Sequence, residues 1–270
     1  MGNINITLPD GSIKELPNNS SGYDLALSIG PGLAKDAVAI VVNGEQRDLT
    51  DILFDQSNVS IITKKSEEGI EIMRHTLTAQ VLAQAVKNLY PKVKLAIGPT
   101  IENGFYYDFL FPKPISSDDL AGIEDEMKKI ISSNSKIEKT LCTKKEAISK
   151  FEDLKEDFKV EIIKESEQVD DFQIYEQKET GFIDLCRGPH LPSLGQIGSF
   201  KLTKISGAYW RGNAENQMLT RIYGTAWLSQ KDLDNYLNQQ AEAEKRDHRK
   251  IGKEMNLFHF QDDAPGMVFW

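Results

Sequence analysis

Apolar and polar positions along the first 64 residues describe a small mixed unit. Residues 3–8, NINITL, alternate as a half-buried strand does, and the tight-turn sequence PDGS at 9–12 leads into a second strand around 13–16. SSGYDLALSIG at 20–30 puts a capping serine ahead of an apolar face at Leu25, Ala26 and Ile29, with Gly30 and Pro31 closing the helix. AVAIVV at 37–42, the turn Asn43-Gly44, and VSIIT at 59–63 complete a ββαββ pattern over 1–64. The polar, Gly-containing stretch KKSEEGIEI at 64–72 reads as a connection.

A second unit follows over 65–227. From 74 to 89, Leu77, Val81, Leu82, Ala85, Val86 and Leu89 fall at helical spacing until Tyr90-Pro91 stops the pattern. KLAIGPTIENGFYYDFLF at 94–111 predicts two strands about the turn Glu102-Asn103-Gly104. Residues 117–133 predict a helix with acids early and Lys128 and Lys129 late, and FKVEII at 158–163 reads as a strand carrying Lys159. This alternation predicts an α+β fold. Residues 228–250 predict a linker helix with Leu233, Tyr236 and Leu237 on one side. Residues 251–270 end on Val268, Phe269 and Trp270, an apolar stop expected to abut a further domain.

Composition narrows the class. At 40% hydrophobic and 27% charged, 270 residues have room for one to three globular domains. The apolar runs are strand length, far short of the roughly 20 residues of a bilayer span, and MGNINITLPDGS lacks the features of a secretory signal. A cytoplasmic location is therefore expected. Cys142 and Cys186 lie in dissimilar contexts, which disfavours a disulfide. The net charge of -9 argues against a protein coated in nucleic acid, yet KRDHRKIGK at 245–253 concentrates a local basic face. No phosphate-cradling glycine loop is present in the sequence.

Chemistry gathers in DLCRGPH, which spans 184–190 and holds Asp184, Cys186, Arg187 and His190. Half of a zinc site, a nucleophile with its base, and a polar corner of the fold are three readings of it. Zinc requires four N, S or O ligands, or three and a water; a nucleophilic cysteine requires a base beside it. His75 alone reads as a structural residue near a helix start, and Tyr209 and Trp210 as partly core. Cys142, His248 and His259 carry no catalytic assignment.

Several strings decide among these readings: AIGPTIENGFYYD at 96–108, DLCRGPH, GAYWRG at 207–212, RIYGTAW at 221–227, KRDHRKIGK and APGMVFW at 264–270. In their order and content they resemble the N-terminal half of the bacterial threonyl-tRNA synthetase family, along essentially the whole chain. The resemblance implies a TGS domain of β-grasp fold, an editing domain, a linker helix, and at 251–270 the start of a class II catalytic domain. ATP, Mg and Zn would belong to that further domain, with no cofactor in these residues. It also implies hydrolysis of serine mischarged onto threonine tRNA, with the acceptor end as partner. The fragment is expected to be a monomer and the full-length chain a homodimer.

In the family an HxxxH pair on a helix faces the CRGPH string. Aligning AQVLAQAV at 79–86 puts Gln80 and Gln84 where those histidines would stand. His75 lies one residue farther away than the family's RHSxAH spacing, and an extra residue turns a helix by about 100°, so His75 reaches the vacancy only through a bulge. The implied catalytic residues are His190, Cys186, Asp184 and Lys159; the implied substrate contacts are Gln80, Gln84, Arg187 and Arg211. With two imidazoles replaced, too few ligands remain for zinc, and no metal is expected. Glutamine cannot accept a proton near neutral pH, so proton transfer is expected to be weakened or moved to His190. The alternative is a non-catalytic tRNA-binding module with a retired site.

Overall fold

The N-terminal alternation becomes β1 (Asn3–Thr7) and β2 (Ile13–Pro17), paired antiparallel through the Pro9-Asp10 turn. In this computed structural model the described residues are 2–247 together with 251, 252, 254, 255, 257, 259, 261, 263, 267 and 268. The chain divides into two units, Met1–Leu228 and Ser229–Trp270.

The first sheet has the order β2-β1-β5-β3-β4, with β3 (Ala37–Val42), β4 (Glu45–Asp48) and β5 (Ser57–Thr63). Helix α1 (Gly22–Ile29) starts at Ser21, whose hydroxyl accepts from the Asp24 N–H while the Asp24 carboxylate accepts from the Ser21 N–H, so two otherwise orphaned donors are satisfied. Its Leu25 and Ala26 pack with Ile6, Ile40, Val42 and Val59 in a core of their own. Two elements escaped the sequence pattern. Pro31 opens a second short helix, α2 (Pro31–Asp36), where a stop was expected, and the polar EQRD forms β4 because it pairs with β3.

Helix α3 (Glu67–Thr76) begins inside the segment expected to be a connection, capped by the Ser66 hydroxyl and with Glu67 and Glu68 favouring its N-terminus. Its buried Ile72 and Met73 continue the apolar stripe backwards from Leu77, and tertiary burial outweighs the polarity of KKSEEG. The backbone then widens into a π-helical turn over Leu77–Leu82, with the Ala83 N–H donating to the Thr78 carbonyl, before α4 (Ala83–Leu89) resumes. All six residues of the turn are buried. The extra residue is taken up there, so Met73 before the turn, Leu77, Val81 and Leu82 within it and Val86 after it share one core.

That core is closed by an antiparallel sheet, β12-β13-β8-β6, of β6 (Lys94–Leu95), β8 (Gly104–Leu110), β12 (Ser199–Tyr209) and β13 (Met218–Trp227), with β7 (Thr100–Ile101) pairing β8. Phe105, Tyr107 and Phe109 fill its inner face, each fully buried, and burial of such a side chain contributes about 1.5–3 kcal/mol. Helix α5 (Leu120–Ser132) adds Ile123 and Met127.

A smaller sheet, β11-β10-β9, holds β9 (Ile137–Cys142), β10 (Phe172–Gln177) and β11 (Ile183–Leu185). Helices α6 (Lys144–Asp153) and α7 (Asp157–Glu165) cover it through Phe151, Val160 and Ile163. The FKVEII segment expected as a strand is thus the middle of α7. Its spacing suits both periods, and Phe158, Val160 and Ile163 find partners on different sides of the helix. Trp210 is buried, whereas Tyr209 is 41% exposed.

In the second unit, α8 (Gln230–Lys245) starts at Ser229, whose hydroxyl accepts from the Asp232 N–H. Lys245 and Arg246 of the basic stretch pair with Glu242 at 3.0 and 3.6 Å. Residues 248–250 and 253 of that stretch, His248 among them, lie outside the described residues, as does much of the 251–270 segment.

Candidate functional site

His75 occupies the last turn of α3, not its start, and its Nε2 is 2.7 Å from the Sγ of Cys186. Cys186 follows directly on β11, held by its N–H donating to the Gln173 carbonyl on β10. Burial holds the His75 pKa below its ordinary value, with Lys159 adding to the effect and Asp184 and Asp48 opposing it. The ring is therefore neutral near pH 7, and its tautomer sets whether Nε2 accepts from the thiol or donates to it.

Asp184, on β11, forms an ion pair with Lys159 of α7 at 2.7 Å, the two side chains 2% and 5% exposed. The Tyr107 hydroxyl donates to Asp184 at 3.4 Å, and the Lys159 ammonium lies 5.6 Å from the centre of the Tyr107 ring. Burial and the Asp184 charge push the Tyr107 hydroxyl well above its ordinary pKa, so it remains a donor. A buried pair of this kind is held by geometry: stripping either partner leaves an uncompensated charge.

His190 sits behind this wall. It is 2% exposed, its ring stacks on His75 at 4.7 Å and 13°, and the Tyr175 ring meets it edge-on at 4.3 Å. Thr76 fixes its tautomer. The Thr76 hydroxyl donates its one proton to the Ile72 carbonyl and accepts from the Leu191 N–H, so at 3.2 Å from His190 Nδ1 it can act only as a second-site acceptor. Nδ1 therefore carries the proton. Nε2 is buried with no hydrogen-bond partner among the described residues.

Gly188 makes the turn possible. Its φ is +63°, and a Cβ there would stand 1.9 Å from the Tyr175 hydroxyl oxygen. Any side chain would push the loop off Tyr175 and carry His190 with it.

His75, Cys186, Asp184, Lys159 and Tyr107 line one cavity of about 810 Å³, with Ala79 and Gly98 on the wall and Arg187 and Arg211 also lining it. Arg187 is exposed and makes no ion pair among the described residues. Arg211 lies over Trp210 at 5.2 Å and pairs with Glu161 at 3.2 Å and with Glu165, so its charge is already engaged.

Of the residues singled out from sequence, Asp184, Cys186, Lys159, Arg187 and Arg211 come together here, and His190 backs the wall without lining it. Gln80 and Gln84 do not line the cavity. Gln80 is fully buried and accepts from Gln177 Nε2 at its backbone oxygen, 2.7 Å, and its Oε1, 3.3 Å. Ala79, four residues after His75 and so on the same helical face, lines the cavity, and Gln80, about 100° further round, turns into the core; the π-turn over Leu77–Leu82 takes up the surplus residue. His75 was missed because regular helical rotation was assumed across 75–80. The surplus residue in RHTLTAQ was the signal of the bulge that supplies it. The donor atoms of His75, Cys186 and His190 all lie within 4.8 Å of one another. The sequence count of metal ligands thus omitted an imidazole, and the cluster offers two nitrogens and a sulfur, a donor set that zinc accepts.

This architecture defines a class. The model of the TGS domain family matches residues 4–63, and that of the threonyl and alanyl tRNA synthetase second additional domain matches residues 173–223, from β10 through the Cys186 loop to β13. The chain thus couples a TGS domain to a second additional domain of the tRNA-synthetase type. Threonine–tRNA ligases are similar to it along nearly its whole length: that of Hahella chejuensis is 49% identical over 265 residues, 98% of this chain and 41% of that one. Those of Rhizobium etli, 50% over 268 residues, and Rickettsia typhi, 49% over 267, cover 99% of this chain and 40% and 42% of their own lengths. In sequence the chain corresponds to the N-terminal part of threonine–tRNA ligases.

Proposed function

We propose that the cavity at Cys186 hydrolyses the ester joining serine, wrongly selected, to the 3′ end of threonine tRNA. A site that accepts threonine gains only about 1–3 kcal/mol from one methyl group, so a second sieve is needed to reject serine. The observation that carries the reading is the His75–Cys186 contact beside the Lys159–Asp184 pair in a single cavity.

A water beside His75 attacks the ester carbonyl carbon. Its proton passes to Nε2, displacing the thiol hydrogen bond, and is returned to the leaving 3′ oxygen. Lys159 and the Tyr107 hydroxyl supply donors for the oxyanion, and Asp184 supplies an acceptor for the α-ammonium group. Arg187 offers its guanidinium to the phosphates of the acceptor end. In this reading His75, not His190, moves the proton, and His190 holds His75 from behind. In this reading ATP and Mg²⁺ serve a class II catalytic domain, the hydrolytic step above uses no cofactor, and the cytoplasm is where the substrate is made. No helix among the described residues is long and apolar enough to cross a membrane.

The test is deacylation of seryl-tRNA by the 270-residue chain, compared with buffer and with threonyl-tRNA. Faster loss of serine than of threonine is expected. Binding of threonine tRNA with no acceleration would replace this reading with that of a non-catalytic tRNA-binding module.

A further inference from the structure

We infer that Asp48, a residue of the TGS domain, is a positioning residue of the hydrolytic cavity, holding the His190 loop and through it the ring of His75. Asp48 ends β4 and is buried. Its Oδ1 accepts from the His190 backbone N–H at 2.8 Å, a contact between residues 142 apart in sequence. Its Oδ2 accepts from the Tyr175 hydroxyl at 2.8 Å and faces the Lys139 ammonium at 2.8 Å.

Lys139 and Tyr175 are direct cross-strand neighbours on β9 and β10, so one carboxylate gathers donors from two strands and a loop of the second domain. Three strong donors satisfy most of its four lone-pair positions, which is what allows a buried charge to persist. The relay beyond it is short. Tyr175 meets the edge of His190, His190 stacks on His75, and His75 Nε2 meets Cys186.

A carboxylate that only glued the domains together would need none of these ring contacts. Asp51 is the internal comparison: it pairs with Lys139 at 2.6 Å across the same junction but makes no hydrogen bond to Tyr175 or His190. The structure therefore separates docking, shared by Asp48 and Asp51, from positioning, which falls to Asp48 alone. The TGS domain thereby forms part of the support of a site whose lining residues all belong to the other domain.

This inference rests on the hydrolytic reading for its rate measurement and on geometry alone for its spectroscopic one. In the 270-residue chain, with imidazole nitrogens labelled, seryl-tRNA hydrolysis and the ring resonances of His75 and His190 would be recorded for Asp48→Ala, Asp48→Asn and Asp51→Asn. Asp48→Ala is expected to lower kcat by about 10²-fold with KM unchanged, the scale set by a misplacement of about 1 Å. It should also shift both rings. Asp48→Asn keeps one acceptor oxygen and should fall between; it carries the test if the alanine variant does not fold. Asp51→Asn should leave kcat and both rings as in the wild type.

Wild-type kcat and unshifted rings in both Asp48 variants would overturn the inference. So would an Asp51→Asn effect as large as that of Asp48→Ala, which would mean domain docking alone. Should the wild-type chain not hydrolyse seryl-tRNA, the proposed function fails, and the ring resonances still decide the role of Asp48.

Discussion

His75 and Cys186 are 111 residues apart in sequence and 2.7 Å apart in space, imidazole nitrogen to sulfur, on the wall of the cavity. This contact turns a lone thiol into a thiol with a base beside it. His75→Gln keeps a polar side chain of similar reach but cannot take a proton. It is expected to lower seryl-tRNA hydrolysis by about 10²–10⁴-fold, the usual weight of general base catalysis. Single-turnover deacylation would measure it, and a rate unchanged by the substitution would remove His75 from the mechanism.

Burial lowers the His75 pKa from the ordinary imidazole value of 6.5. The unfolded chain takes up a proton at this ring near pH 6.5, and the folded chain does so only at lower pH. The contribution to stability is fully present above 6.5 and is lost as pH falls through the folded value. Urea midpoints taken on either side of that window should fall with acid, and His75→Gln should flatten that part of the dependence. The hydrolytic rate should rise with pH through the same depressed inflection.

The Lys159–Asp184 pair is closed to solvent at both ends. Lys159→Met is expected to destabilise the fold by about 3–5 kcal/mol, because Asp184 is left buried and uncompensated. Adding Asp184→Asn should recover part of that loss. Denaturant melts of the two variants check this, and a double variant no more stable than the single one would contradict the pairing.

Ala79 lines the cavity, whereas its neighbour Gln80 is turned into the core. Ala79→His should be accommodated, its imidazole entering the cavity four residues on from His75, with little change in melting temperature. Gln80→His should lower stability by about 1–3 kcal/mol, since it disturbs a fully buried side chain bonded to Gln177. Equal melting temperatures for the two variants would contradict the burial of Gln80 against Gln177.

Period and turn chemistry made much of the fold legible. The hairpin at 3–17, the Ser21-capped helix and the 120–132 helix announce themselves through alternation, capping and spacing. FKVEII was misread because six residues with apolar positions two and three apart satisfy either period. EQRD was passed over because β4 is made by its partner strand rather than by its own residues. Within the site, the residues of DLCRGPH were visible because cysteine and histidine are rare in this chain. His75 was passed over because a regular helix was assumed, and Asp48 because nothing local marks a carboxylate whose partners lie some hundred residues downstream.

The widened turn at 77–82 has a consequence for matching this chain to its relatives. A surplus residue in a regular helix would rotate everything beyond it, so that the core face, the cavity face and the following strand could not all keep their partners. Here the displacement is cancelled within six residues. Helical phase along this segment is therefore piecewise: α-helical up to Thr76 and again from Ala83, with a wider turn between them. Distances along the sequence are thus a poor guide to which residues of this helix meet the thiol, and it is His75 that does.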